Sequence, residues 1–167
     1  MDPNDINTKI SVYEDRVKEW FFNIAEKLKS DNETGFVILQ IGLSYIEGNQ
    51  QYRLGKPSHR DSRLFFKNAM KRIFPEISQI KDIDVILDKF YDQVRCGLFH
   101  DGMTKSLVTI SGEFNLPLEI ANGDIKVNPH KFLDRIIEDL SNYISDLKDV
   151  NNTELIKNFA LRWSQTV

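Results

Sequence analysis

Residues 128–147, NPHKFLDRIIEDLSNYISDL, contain the clearest structural signal in the chain. Asn128 and Pro129 are typical of a helix start, where asparagine caps and proline needs no hydrogen-bond donor. Apolar side chains then recur every three or four residues and share one helical face. They are Phe132, Leu133, Ile136, Ile137, Leu140, Tyr143, Ile144 and Leu147. We expect a long amphipathic helix that packs this face against other helices.

A small β structure is expected immediately before this helix, within residues 105–127. Two short segments with alternating apolar residues, 118–120 and 125–127, flank an Asn-Gly pair. That pair is the most typical sequence of a two-residue hairpin turn. Residues 107–110 predict a further strand. The sequence therefore predicts a small antiparallel sheet inserted before the long penultimate helix.

The rest of the chain shows helical periodicity. A polar lead-in, residues 1–9, precedes helices expected near residues 10–29, 33–49, 62–74 and 83–101, and a short helix is expected within 152–167. The apolar stripe of the first helix consists of Ile10, Tyr13, Val17, Trp20, Phe21, Ile24 and Leu28. The prediction is a mainly α fold, a bundle of about five helices in a single domain, residues 1–167.

Composition excludes several classes of protein. The only cysteine, Cys96, allows no internal disulfide and no thiol metal site. The most apolar run, residues 36–46, is about half as long as the roughly 20 residues that cross a membrane. The N-terminus is polar and acidic, unlike a secretory signal. We expect a cytoplasmic protein without membrane association, cofactor or metal.

The segment with the strongest chemical character is YDQVRCGLFHDG, residues 91–102, at the end of the fourth helix. Arg95 and His100 lie five residues apart, so an α-helix would place them ~140° apart. Arginine is long, however, and both groups near a helix end can converge on one ligand. Histidine can transfer the proton of a 2'-hydroxyl near neutral pH, and the planar fork of arginine suits a charged phosphate.

The run Arg95-Cys96-Gly97-Leu98-Phe99-His100, followed by Asp-Gly, resembles the HEPN superfamily. The signature of that family is an arginine, four to six residues and a histidine near the end of a bundle helix. The resemblance covers the bundle from about residue 10 to 150. It implies a helical bundle, usually dimeric, that often cleaves RNA without metal in toxin, anti-phage or RNA-processing systems. It also implies that Arg95 and His100 are catalytic.

Two functions remain open on this basis. One is a metal-independent endoribonuclease whose two-fold axis brings two Arg/His pairs into one cleft. The other is a non-catalytic module that binds RNA or a protein partner, because active family members usually carry a polar residue where this chain has Cys96. A purely structural interpretation is also available: Arg95 can pair with Asp92 on the same helix, and His100 can interact with the helix dipole.

The sequence also contains a cluster of basic residues. Residues 53–72 contain seven basic side chains and one acid, a net charge of +6 in a chain of net charge −3. Such a patch can attract phosphate even on an acidic protein. The candidate RNA-binding residues are Arg53, Lys56, Arg60, Arg63 and Lys67. The alternative is a solvated helix face neutralised by acids of neighbouring elements. Glu47, at the end of the second helix, is expected to be solvent-exposed, although it could orient a site residue.

Overall fold

A computed structural model of the chain describes residues 5–101, 103–104, 108–121 and 123–166, without the side chains of Asn32, Phe99, His100 and Asp101. The predicted mainly α fold with a small sheet before the long helix is confirmed. The helices are α1 Ile6–Val17, α2 Asn23–Leu28, α3 Gly35–Leu54, α4 Ser62–Ile73, α5 Ile83–Phe90, α6 Pro129–Lys148 and α7 Thr153–Ser164. Two π-helical segments, Lys18–Phe22 and Tyr91–Asp101, continue α1 into α2 and extend α5.

The apolar helix α3 lies at the centre and packs against α4, α6 and α7. Its buried side chains include Ile38, Leu39, Leu43 and Ile46. The stripe predicted for α6 faces them, and all of it except Ile137 is buried. Burial of these faces supplies most of the drive to fold, because apolar surface leaves water wherever two helices meet.

The first helix departs from its predicted stripe after Val17. Because a π-helical turn contains one residue more than an α-helical turn, residues after it are rotated by about 100°. Phe22 and Ala25 are therefore buried, whereas Trp20, Phe21 and Ile24 are 63%, 46% and 47% exposed. The prediction that those last three residues face the core was wrong.

The helix also starts earlier than the polar lead-in suggested. Asp5 caps it by accepting a hydrogen bond from the backbone N–H of Thr8 at 2.9 Å, so α1 begins at Ile6. The remainder of the lead-in, residues 1–4, lies outside the described residues.

The sheet contains strands β1 Val108–Ile110, β2 Leu118–Ala121 and β3 Asp124–Val127, in the order β1-β3-β2. The predicted hairpin is confirmed as the antiparallel pair β2–β3; Asn122 of its turn lies outside the described residues. The sheet is nevertheless mixed, because β1 pairs with β3 in parallel. The loop after β1 places β2 at the far edge, and the hairpin then returns β3 between the other two strands.

The predicted cap of α6 is confirmed. The Asn128 side chain accepts hydrogen bonds from the backbone N–H groups of His130 and Lys131 at 3.0 and 3.1 Å. Its Nδ2 donates to the carbonyl oxygens of Gly112 and Phe114, both at 2.8 Å. One side chain thus joins the loop of the sheet to the start of the long helix. None of the described helices has the length and apolar character needed to cross a membrane.

Candidate functional site

The candidate motif lies on the π-helical segment Tyr91–Asp101. In a π-helix the N–H of residue i+5 bonds to the carbonyl of residue i, so positions five apart stand one above the other. The backbones of Arg95 and His100 therefore lie on the same side of this segment, and the separation of ~140° expected for an α-helix was wrong. Buried Val94 and Leu98 anchor the opposite side in the core.

Gly97, between the two motif residues, permits a close return of the chain. The backbone N–H of Met103 donates to the carbonyl of Gly97 at 3.4 Å. A Cβ at position 97 would stand 2.5 Å from the carbonyl oxygen of Met103, a distance that real contacts do not tolerate. Glycine is thus required where the chain folds back over the motif. The side chain of His100, and Gly102, lie outside the described residues.

Arg95 lies in a surface pocket between the π-helical segment and α3. Its Nη2 donates to Glu47 Oε2 at 3.2 Å, and its guanidinium carbon lies 5.4 Å from the centre of the Tyr91 ring. The pocket has a volume of about 270 Å³. Arg95 shares its lining with Leu43, Ser44, Glu47, Gly48 and Gln51. The guanidinium is thus held on an accessible surface rather than in the core.

Glu47 is the site residue that sequence reasoning placed wrongly. Its side chain is only 13% exposed, and both of its oxygens are engaged. Besides Arg95 it binds Ser58, whose Oγ donates to Glu47 Oε1 at 2.8 Å. Ser58 Oγ accepts in turn from Ser62 Oγ at 3.0 Å. The carboxylate therefore joins the motif segment to the loop that precedes α4.

The candidate RNA-binding residues fall into different environments, and Arg63 and Lys67 belong to an ion-pair ladder between α4 and the helix that follows it. The paired residues are Arg63–Asp92, Lys67–Asp88 and Lys71–Asp84, with N–O distances of 2.6, 3.0 and 2.9 Å. Because both sets are spaced by four residues on antiparallel helices, each base meets an acid. The hydrogen bond from Lys71 lowers the pKa of Asp84 below its usual value. Neutralisation by neighbouring acids thus describes Arg63 and Lys67.

Arg53 points into the bundle. Its side chain is 14% exposed, and its Nη2 lies 3.4 Å from Asp139 Oδ1. Its Nε donates to Asn49 Oδ1 at 2.8 Å, and its guanidinium lies over the Tyr143 ring at 4.3 Å. Arg72 also binds the buried Asp139. The alternative pairing of Arg95 with Asp92 on the same helix does not occur among the described residues, where Asp92 instead binds Arg63.

Lys56 and Arg60 differ from the other candidates. Neither the ammonium of Lys56 nor the guanidinium of Arg60 pairs with a carboxylate within the part of the chain that the structure describes. Lys56 Nζ lies 5.6 Å from the Phe65 ring, and Arg60 is exposed. Both are two residues from Ser58, the residue that contacts Glu47. The structure therefore brings Arg95 and Glu47 next to this short basic loop. The first base of the ladder, Arg63, adjoins the same site, since its guanidinium carbon lies 5.2 Å from the centre of the Tyr91 ring.

An apolar surface borders the Arg95 pocket. A second cavity, of about 160 Å³, lies between the first helix and α3. Phe21 and Ile41 are among the side chains that line it, and Ser44 and Gly48 line this cavity as well as the Arg95 pocket. Phe36 and Val37, at the start of α3, are 45% and 49% exposed. The central helix thus presents an exposed surface, here called the open α3 face, which consists of Phe36, Val37, Ile41, Ser44 and Gly48. This face continues into the Arg95 pocket.

No group of three or more His, Cys, Asp or Glu side chains with metal-binding geometry occurs among the described residues. Comparisons with protein-family models, curated protein sequences and solved structures gave no match to the chain.

Proposed function

We propose that the chain is a HEPN-like, metal-independent endoribonuclease that acts as a homodimer, with Arg95 and His100 as its catalytic residues. The observation that carries the proposal is the position of Arg95. Its guanidinium lines an accessible pocket, is held by Glu47 and Tyr91, and stands one π-helical turn before His100.

The chemistry requires little besides these two residues. The 2'-hydroxyl of RNA attacks the adjacent phosphorus, a bond from O2' to phosphorus forms, and the bond to O5' breaks. His100 would accept or return the proton, and Arg95 would bind the phosphate oxygens on which negative charge grows. The products are a 2',3'-cyclic phosphate and a 5'-hydroxyl. Since the substrate supplies its own nucleophile, the protein need not provide one.

The basic loop supplies a path for the rest of the RNA. Lys56 and Arg60 flank Ser58, and Ser58 is hydrogen-bonded to the carboxylate that holds Arg95. Positive side chains beside a cleavage site bind neighbouring phosphates without reading their sequence. We expect single-stranded RNA to cross the Arg95 pocket and contact this loop.

A second copy of this chain is the occupant that we propose for the open α3 face. Each chain offers one arginine and one histidine of the motif, and the face adjoins the pocket that holds Arg95. Two copies packed through this face about a two-fold axis would place both pockets beside one cleft. A heterologous contact would not bring the two motifs together.

One observation favours a second candidate, a non-catalytic module that binds RNA or a protein partner. Cys96, directly after Arg95, is partly buried and packs against the core. It supplies no strong hydrogen-bonding group at the position where active HEPN members usually have one.

Cleavage of single-stranded RNA by purified wild type and by His100→Ala, in the presence of chelator, distinguishes the two candidates. The endoribonuclease should cut in chelator, and the variant should lose about 10²–10⁴-fold in rate. DNA without the 2'-hydroxyl should be bound but not cut. Equal activity in both proteins would indicate a contaminating nuclease, and binding without cleavage would favour the non-catalytic module.

A further inference from the structure

We infer that Glu47 is a positioning residue: it fixes the guanidinium of Arg95 through a relay that begins at Ser58. The catalytic consequence of this role rests on the proposed ribonuclease function, whereas the positioning itself does not. Glu47 lies on α3 and the motif lies on the π-helical segment, so the contact joins two separate elements.

The burial of the Glu47 carboxylate and the hydrogen bonds that it accepts support its role as a positioning residue. A carboxylate with little exposure needs partners for both oxygens, because its desolvation is otherwise costly. Glu47 receives one hydrogen bond from Ser58 at 2.8 Å and one from Arg95 at 3.2 Å. The hydrogen bond from Ser58 fixes the rotamer of the glutamate, and the glutamate then constrains the arginine.

The arrangement also limits how the guanidinium can turn. Its carbon stands 5.4 Å from the centre of the Tyr91 ring while one Nη contacts Glu47. A contact near the ring together with a contact at one edge restricts rotation of a planar group. Ordering the side chain before RNA arrives removes an entropic cost from the reaction, which is how positioning residues accelerate chemistry.

Electrostatics make this role distinguishable from a role in binding. A negative charge beside the phosphate path weakens attraction of RNA, so Glu47 cannot be explained as a binding residue. Replacing it by glutamine removes that repulsion and loosens Arg95 at once. Loss of the repulsion should raise RNA affinity, whereas the loosened Arg95 should lower the rate of cleavage. Partial unfolding would lower the amount of active protein without tightening binding.

The experiment compares Glu47→Gln and Ser58→Ala with Glu76→Gln. Glu76 is a matched control because it forms a similar contact with Arg135, at 3.3 Å, away from the site. Rotation about the Nε–Cζ bond of Arg95 is measured by nitrogen-15 NMR of the side chain, assigned by the loss of its signal in Arg95→Lys. We expect slow rotation in wild type and Glu76→Gln, faster rotation in Ser58→Ala and the fastest in Glu47→Gln.

Kinetics provide the second measurement. In Glu47→Gln we expect kcat to fall about tenfold to a hundredfold, with RNA bound equally or more tightly. Equal rotation of Arg95 in wild type and both site variants would overturn the inference, as would an unchanged kcat or parallel losses of rate and affinity. If Glu47→Gln does not fold, Ser58→Ala decides the question. A wild type that binds no RNA and cuts none would refute the proposed function, but the NMR comparison would still test the role of Glu47.

Discussion

The guanidinium of Arg95 donates to the carboxylate of Glu47 at 3.2 Å, across 48 positions of sequence. This contact makes the arginine part of a built site, since Glu47 is itself fixed by Ser58. A guanidinium carries five N–H donors in a rigid fork, so it can bind a carboxylate at one edge and a phosphate at another. The geometry of the fork, and not the charge alone, should therefore matter for function.

The first prediction tests that geometry. Arg95→Lys keeps the charge but loses the planar pair of donors that fits a phosphate. We expect cleavage to fall about 10²–10³-fold, as when a donor to a developing negative charge is removed, with a smaller change in RNA affinity. Single-turnover cleavage and a separate binding titration measure the two effects.

Arg60→Lys is the matched control for this substitution. Arg60 is exposed in the neighbouring loop, where charge alone should suffice, so the change should have little effect on either measurement. If Arg95→Lys cleaves RNA at the wild-type rate, the planar guanidinium of Arg95 is not needed for cleavage.

The site also illustrates what the sequence could predict and what it could not. Arg95 and His100 could be proposed from the sequence because their signal is local: two residue types at a short spacing near a helix end. The sequence indicated that Glu47 could orient a site residue, but its burial and its partners could not be predicted, because those partners come from two other elements. Neutralisation of the basic segment was one of the two alternatives that the sequence left open, but the partner of Lys67 could not be predicted, because Asp88 reaches it only after the helices pack against each other.

The fold, too, contains features that the local sequence predicts and features that depend on distant residues. The cap at Asn128 and the pairing of β2 with β3 depend on residues that are near in sequence, and both were predicted correctly. The π-helical turn after Val17 has no recognisable sequence signal, yet it moves Trp20 from the expected core to the surface. Pairing between β1 and β3 likewise depends on the path of the loop that separates them.

The second prediction concerns RNA affinity. Lys56→Gln combined with Arg60→Gln removes the two basic groups beside Ser58 that lack a carboxylate partner within the described residues. We expect weaker binding of all RNA sequences and a smaller salt dependence. The log–log slope should shrink by about 0.7 for each phosphate of a single strand that the protein no longer neutralises. Binding titrations at several salt concentrations measure both quantities.

Lys67→Gln combined with Lys71→Gln removes the same charge from the ion-pair ladder and serves as the control. These lysines already pair with Asp88 and Asp84, so their loss should affect RNA affinity less. Equal losses of affinity in the two double variants would mean that RNA displaces the acids of the ladder and binds the whole basic segment.

The third prediction concerns stability and pH. Glu14 binds Lys18 on its own helix and Lys148 on α6, at 2.6 and 3.0 Å. The hydrogen bond from Lys18, with that from Lys148, lowers the pKa of the Glu14 carboxyl below its usual value of 4.5. Because the folded state favours the ionised form, the contribution is complete above pH 4.5 and is lost as the pH falls through the lowered pKa.

Glu14→Gln should therefore lower the free energy of unfolding by at most about 1 kcal/mol at pH 7 and by less near pH 3. Urea unfolding at the two pH values measures this difference. Glu19→Gln is the control, since within the described residues the Glu19 side chain accepts a hydrogen bond from Asn23 of the same helical run and forms no ion pair. A loss of stability that is independent of pH would contradict the role assigned to the ion pairs.

The last prediction tests the proposed dimer face, and Gly48 offers the sharpest way to block it. A Cβ added at this helical position meets nothing within 4 Å, so a side chain can leave the backbone there without a clash. Gly48→Arg should even raise the free energy of unfolding, because glycine costs roughly 0.5–1 kcal/mol inside a helix relative to a good helix former.

A second copy packed on the open α3 face would instead meet a long charged side chain that it cannot bury. Light scattering at micromolar concentration should show a dimer for wild type and a monomer of undiminished thermal stability for Gly48→Arg. Because Gly48 also lines the Arg95 pocket, the oligomeric state and not the rate of cleavage decides this test. Ser141→Arg, on the exposed face of α6, adds the same charge away from the site and should remain dimeric and active. A wild-type monomer would remove the composite cleft, and a Gly48→Arg dimer would move the contact to another surface.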